Sequence, residues 1–92
     1  MVFMENVRDD TLAVSTAAVL VSPARYRNEL VITNTSTAAQ NITLSFGKPA
    51  VSGAGIFLTP YSVYYSPPTG VYSGEIFAIG DAINGQISIF ER

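Results

Sequence analysis

Residues 30–47 read LVITNTSTAAQNITLSFG, two apolar runs rich in β-branched side chains, separated by a polar segment without a single charge. Ile42, Leu44 and Phe46 alternate with Thr43 and Ser45, the pattern of a strand with one buried face. The same parity carried back along the chain puts Tyr26, Leu30 and Ile32 on one face and Arg25, Arg27, Glu29 and Val31 on the other. The segment therefore reads as a hairpin whose connection is residues 35–40, with the Asn34 side chain placed to close an Asx-type turn.

Period-2 patterning extends over the rest of the chain, and no stretch of a dozen residues holds an unbroken 3.6 period. Candidate strands are residues 11–21, 25–33, 42–46, 55–58, 63–66, 74–79 and 86–90. Between them fall Ser22-Pro23, Gly47-Lys48-Pro49, Gly53-Ala54-Gly55, Thr59-Pro60, Pro67-Pro68 and Asn84-Gly85, so turn signals recur about every ten residues, as in sandwiches and small barrels. The expected fold is all-β, a single small antiparallel β-sandwich of about seven short strands, Ig-like or jelly-roll-like. Asn84-Gly85 suits the positive φ angles of a second tight hairpin. Parity assigns the core face to Leu30, Ile32, Ile42, Leu44, Phe46, Ile56, Leu58, Ile76, Ile87 and Ile89. Residues 1–10 read as an amino-terminal arm and residues 11–92 as the sandwich domain.

With 92 residues, such a domain buries only about 60 to 65% of its unfolded surface. It contains neither cysteine nor histidine, which removes disulfides and soft-metal sites as stabilisers and leaves association as the remaining one. Charged residues are 13% of the chain, about half the usual share. An exterior so poor in charge suits a protein partly covered by neighbours. A homo-oligomer is expected, a trimer in preference to a monomer.

The residue inventory narrows the chemistry further. Ser-His-Asp and Cys-His arrangements cannot be built, and any general base would have to be a carboxylate or Lys48. Asp9 and Asp10 are adjacent and on a strand point to opposite faces, while Glu75, Asp81 and Glu91 read as solvated charges at strand ends. No catalytic residue, cofactor or metal is expected. GDAING, residues 80–85, lacks the alternate-position ligands of a calcium loop and reads as a turn. GAGIF, residues 53–57, lacks the third glycine and the helix of a dinucleotide fingerprint; its glycines fit a bend before Ile56, Phe57 and Leu58 enter the core. A net charge of −2 with five basic residues dispersed between Arg8 and Arg92 offers no phosphate-binding patch. Nucleic acid is not an expected partner. Neither is a membrane, since no run approaches the roughly 18 apolar residues of a spanning helix. The acidic opening is unlike a signal peptide, so cytoplasmic synthesis without export by that route is expected. The sequons at Asn34 and Asn41 read as chance occurrences.

The most distinctive stretch is residues 59–74, TPYSVYYSPPTGVYSG, which gathers four of the five tyrosines and three of the five prolines. Tyrosine offers a broad amphipathic contact at low entropic cost, and proline stiffens a loop before it binds. Tyr61, Tyr64, Tyr65, Pro67, Pro68 and Tyr72 are the candidate partner-binding residues; the same tyrosines could instead cap the sandwich core at its edge, and a glycan site is the third reading. Tyr64 and Tyr65, being neighbours on a strand, must face opposite ways.

The pattern NELVITNTS at residues 28–36, with ITLSFG, GAGIFLTP, GEIFAI and GQISIFE further on, resembles small β-sandwich virion proteins of tailed bacteriophages, those of the head decoration or cement type. Its features span residues 25–91, with one departure at Tyr61-Ser62, where similar chains often have a glycine turn. The resemblance implies a structural protein bound in many copies to the outside of a capsid, with the major capsid protein or another virion protein as partner. The alternative is a receptor- or glycan-binding tip module of a tail or fibre.

Overall fold

The computed structural model describes residues 7–37, 39–66 and 69–92. Among them the chain is all-β, with no helix and eight strands: β1 (Arg8–Val14), β2 (Val19–Ser22), β3 (Leu30–Asn34), β4 (Ile42–Phe46), β5 (Ile56–Leu58), β6 (Val63–Tyr65), β7 (Ile76–Gly80) and β8 (Gly85–Glu91). They form two four-stranded antiparallel sheets, ordered β1-β8-β3-β6 and β2-β7-β4-β5. The pairings β4–β5, β3–β6, β2–β7 and β1–β8 are nested. The chain is thus one long hairpin, centred on the β4–β5 connection and rolled so that successive pairs fall alternately in the two sheets. That wrap is a jelly roll, which resolves the choice between Ig-like and jelly-roll-like.

The rolled topology corrects both expected hairpins. β3 and β4 lie in different sheets, as do β7 and β8, so residues 35–41 and 81–84 cross the sandwich instead of turning back within a sheet. Asn84 and Gly85 accordingly do not take positive φ; among the described residues only Gly47, Gly53 and Tyr61 do. The Asx turn is present, with the Ser36 N–H donating to Asn34 Oδ1 at 3.0 Å. Asn34 Nδ2 donates to the carbonyls of Gln40 and Leu58, so this buried side chain ties β3 to the opposite sheet and is itself closed to glycosylation. The expected strand at residues 11–21 is two strands in different sheets, β1 and β2. β1 begins at Arg8, so Arg8, Asp9 and Asp10 of the expected arm are strand; residues 1–6 lie outside the described residues.

Leu30, Ile32, Ile42, Leu44, Leu58, Ile76, Ile87 and Ile89 meet in one core between the sheets, joined by Val14, Val21 and Ala78. Ile56, expected inside, is 37% exposed, and Phe57 is 52% exposed, because β5 is a three-residue edge strand of which only Leu58 reaches the interior. Phe46 is half-buried, roofed by Tyr64 and Tyr72 with ring centroids at 5.4 and 5.0 Å. Gly55 lets β5 approach β4: a Cβ there would collide with the Leu44 carbonyl oxygen.

Candidate interaction surface

Two regions carry the chemistry of the molecule, and the first is a charge cluster at one end of the sandwich. Along β8, Ile87, Ile89 and Glu91 share the inward face, so the last of the three drives a carboxylate into the protein, where it is fully buried. Its Oε1 accepts from Arg27 Nε at 2.6 Å, and its Oε2 from Ser22 Oγ at 2.8 Å and Arg8 Nη1 at 3.2 Å. Arg25 Nη1 lies 3.4 Å from the same Oε2. The Arg27 guanidinium also donates to the carbonyls of Tyr72, Gly74 and Pro23 and to Ser22 Oγ, which uses all five of its N–H donors.

Burial alone would push the Glu91 carboxyl up. Hydrogen bonds from Arg27, Ser22 and Arg8, together with the Arg27 charge, outweigh it and hold the group below its ordinary value. It is therefore ionised at neutral pH and poorly suited to accept a proton. Its work is structural, tying β8 to β1, to the end of β2 and to the segments at residues 22–29 and 72–74.

This cluster corrects two sequence expectations. Glu91 is not a solvated strand end, and Arg27 does not belong to an exposed charged face. Instead Tyr26, expected alongside Leu30, is 80% exposed while Arg27 is buried. Residues 25–29 precede β3, so strand parity does not apply to them. The signal for Glu91 was present, since extending the alternation of Ile87 and Ile89 by one step turns it inward. Asp81 is exposed as expected, with both carboxylate oxygens engaged by Asn41, its N–H at 3.0 Å and Nδ2 at 2.9 Å.

The second region is the flank formed by the edge strands β5 and β6, which terminate their respective sheets on the same side of the sandwich. Residues 49–74, which contain both strands, carry no charged side chain. Among the described residues, six of the ten exposed large hydrophobic side chains belong to this stretch: Val51, Ile56, Phe57, Tyr61, Val63 and Tyr65. The opposite flank is different, for β1 opens with Arg8, Asp9 and Asp10. Charges on an edge strand discourage the addition of another strand, and β6 has none.

The tyrosines divide as adjacency requires. Tyr64 packs on Phe46 and the core, whereas Tyr65 is 55% exposed. Tyr72 is turned inward and does not join the outer surface. Tyr61 is the most exposed of the four, at 71%, and takes φ 65°, the left-handed region that favours glycine. Its N–H donates to the Asn34 carbonyl at 2.7 Å, and the Ser62 N–H to that of Thr59 at 2.9 Å, which holds the corner in place. Pro67 and Pro68 lie outside the described residues.

An eight-stranded jelly roll with a buried Glu91–arginine cluster and one uncharged flank is the class of molecule these features define. No protein-family model matches the chain, and neither the curated proteins nor the solved structures contain a match.

Proposed function

We propose that this chain is a structural protein of a multi-copy assembly, of the kind that decorates the head of a tailed bacteriophage, and that it associates through the flank of β5 and β6. The observation that carries this reading is the coincidence, along residues 49–74, of no charge with six exposed large hydrophobic side chains. A lone soluble domain gains nothing from such a surface, whereas an interface core is depleted of charge and enriched in tyrosine and phenylalanine. The left-handed Tyr61 supports it independently: a strained tyrosine at a corner that glycine would occupy without cost points to a use for the ring. The jelly-roll wrap, shared by viral capsid domains and lectins, is compatible by analogy and decides nothing alone.

Quantitative staining of purified particles tests the assignment. Decoration requires this chain in numbers comparable with the major shell protein, and a fibre-tip receptor module would be present in few copies. Separate Tyr64→Ala and Tyr65→Ala chains test the flank. The first is expected to lower the melting temperature, because Tyr64 roofs Phe46, and the second to lower occupancy on the particle at unchanged melting temperature. Full occupancy by the Tyr65→Ala chain would remove β6 from the interface.

A further inference from the structure

We infer that the outer edge of β6 pairs with the β6 edge of a second copy of this chain, antiparallel, about a two-fold axis beside Tyr64. The inference rests on the flank being an association surface and names what occupies it. The phase of the β3–β6 ladder is set by the Asn34 N–H donating to the Ser62 carbonyl and the Ser66 N–H donating to the Leu30 carbonyl, each at 3.0 Å. With Ile32 opposite Tyr64, residues 62, 64 and 66 direct their main-chain groups toward β3. Alternation then turns the N–H and C=O of Val63 and Tyr65 outward.

Two such edges match in an antiparallel register that sets Tyr64 opposite its own copy, Val63 opposite Tyr65 of the second copy, and Tyr65 opposite its Val63. Both main-chain groups of Val63 and of Tyr65 are satisfied in each copy, and the two sheets join into one of eight strands. On the outer face each new cross-strand pair sets valine against tyrosine, a favourable combination of β-branched and aromatic side chains.

Charge selects the occupant. In a two-fold interface every residue meets the same surface of its own copy, so any charge near the axis confronts its like. An edge without charge is self-complementary in this sense, and residues 49–74 contain none. A partner edge rich in charge would instead lose hydration against this surface without gaining a counter-charge. The proposed unit is accordingly a pair, in place of the trimer favoured on size alone.

Sedimentation of the full chain, read with two substitutions, tests this. The parent is expected to show a concentration-dependent dimer in the micromolar range. Val63→Lys, which sets a lysine on each side of the axis, is expected to raise the dissociation constant at least tenfold while leaving the melting temperature unchanged at concentrations where both chains are monomers, and Asp9→Asn on the far flank is expected to leave the dissociation constant unchanged. Because the chain has no cysteine, Tyr64→Cys offers a second reading, an intermolecular disulfide under mild oxidation. A parent that stays monomeric at about 100 μM, or a Val63→Lys chain that dimerises like the parent, overturns the pairing. Where the parent is monomeric but Val63→Lys abolishes occupancy on particles, the flank binds the shell directly, so the pairing fails and the structural role stands. A dimer found only outside particles has the opposite meaning.

Discussion

At the Glu91 end of the sandwich a carboxylate lies in the interior with guanidinium groups turned toward it, whereas along the β5–β6 flank a tyrosine, a phenylalanine and a valine stand half in solvent. Each region inverts the usual placement, and the difference lies in where satisfaction comes from. Glu91 finds its partners within the chain, in Arg8, Arg25, Arg27 and Ser22. The flank leaves its apolar side chains exposed, and on the reading proposed above their partner lies outside the chain. Damage to the first should therefore register in folding, and damage to the second in association.

The sharpest way to break this comparison is Glu91→Ala, which leaves the arginines facing a buried void. Removing one member of a buried ion pair costs about 3–5 kcal/mol, a large share of the stability of a small domain. Urea unfolding is expected to show that loss, and a loss below about 1 kcal/mol would mean that the arginines are satisfied without the carboxylate.

Acid provides a graded version of the same test. The Glu91 carboxyl is held below its ordinary value of 4.5, so its contribution is complete above that value and is lost as the pH falls through the lowered folded-state value. The stability gap between the parent and a Glu91→Gln chain is expected to be widest at neutral pH and to narrow through that acid range. A gap independent of pH would show that the carboxylate is not what stabilises the cluster.

The smallest expected effect on folding, and the most discriminating for the flank, belongs to Tyr61. Tyr61→Gly relieves the φ 65° strain but gives the unfolded chain more freedom, so unfolding free energy is expected to stay within about 1 kcal/mol of the parent. Association should weaken measurably in sedimentation or particle occupancy. If association is untouched, the ring is not a contact.

Much of the strand content was legible in the sequence because parity is a local property. β4 matches the expected bounds, and Leu30, Ile32, Ile42, Leu44, Ile76, Ile87 and Ile89 face the core as alternation requires. Sheet membership was not legible. A polar connection such as residues 35–41 can serve a hairpin or a crossing between sheets, and its turn chemistry is the same in both. The division of residues 11–21 at Ser15–Ala18 carries no glycine or proline to mark it. For the cluster, parity failed where the strand itself ended, so Arg27 and Tyr26 exchanged their expected positions. The asymmetry between the flanks could be seen in the spacing of charges, but which tyrosine stands outside depended on Tyr64 finding Phe46.

The nested pairing also sets an order in time. Among the described residues β4 and β5 are the only chain-consecutive strands that share a sheet, and each pair outside them closes a longer loop, ending with Arg8 against Glu91. Loop-closure entropy rises with each step, and topologies dominated by distant pairings fold slowly. β7 and β8, each one of the two inner strands of its sheet, follow in the chain every strand with which they pair. A nascent chain that has reached only β6 therefore holds four earlier strands without the neighbours that would complete their sheets, and already presents its uncharged flank. During synthesis Glu91 follows every strand that it ties together, so the uncharged flank is made before the clasp that fixes the fold.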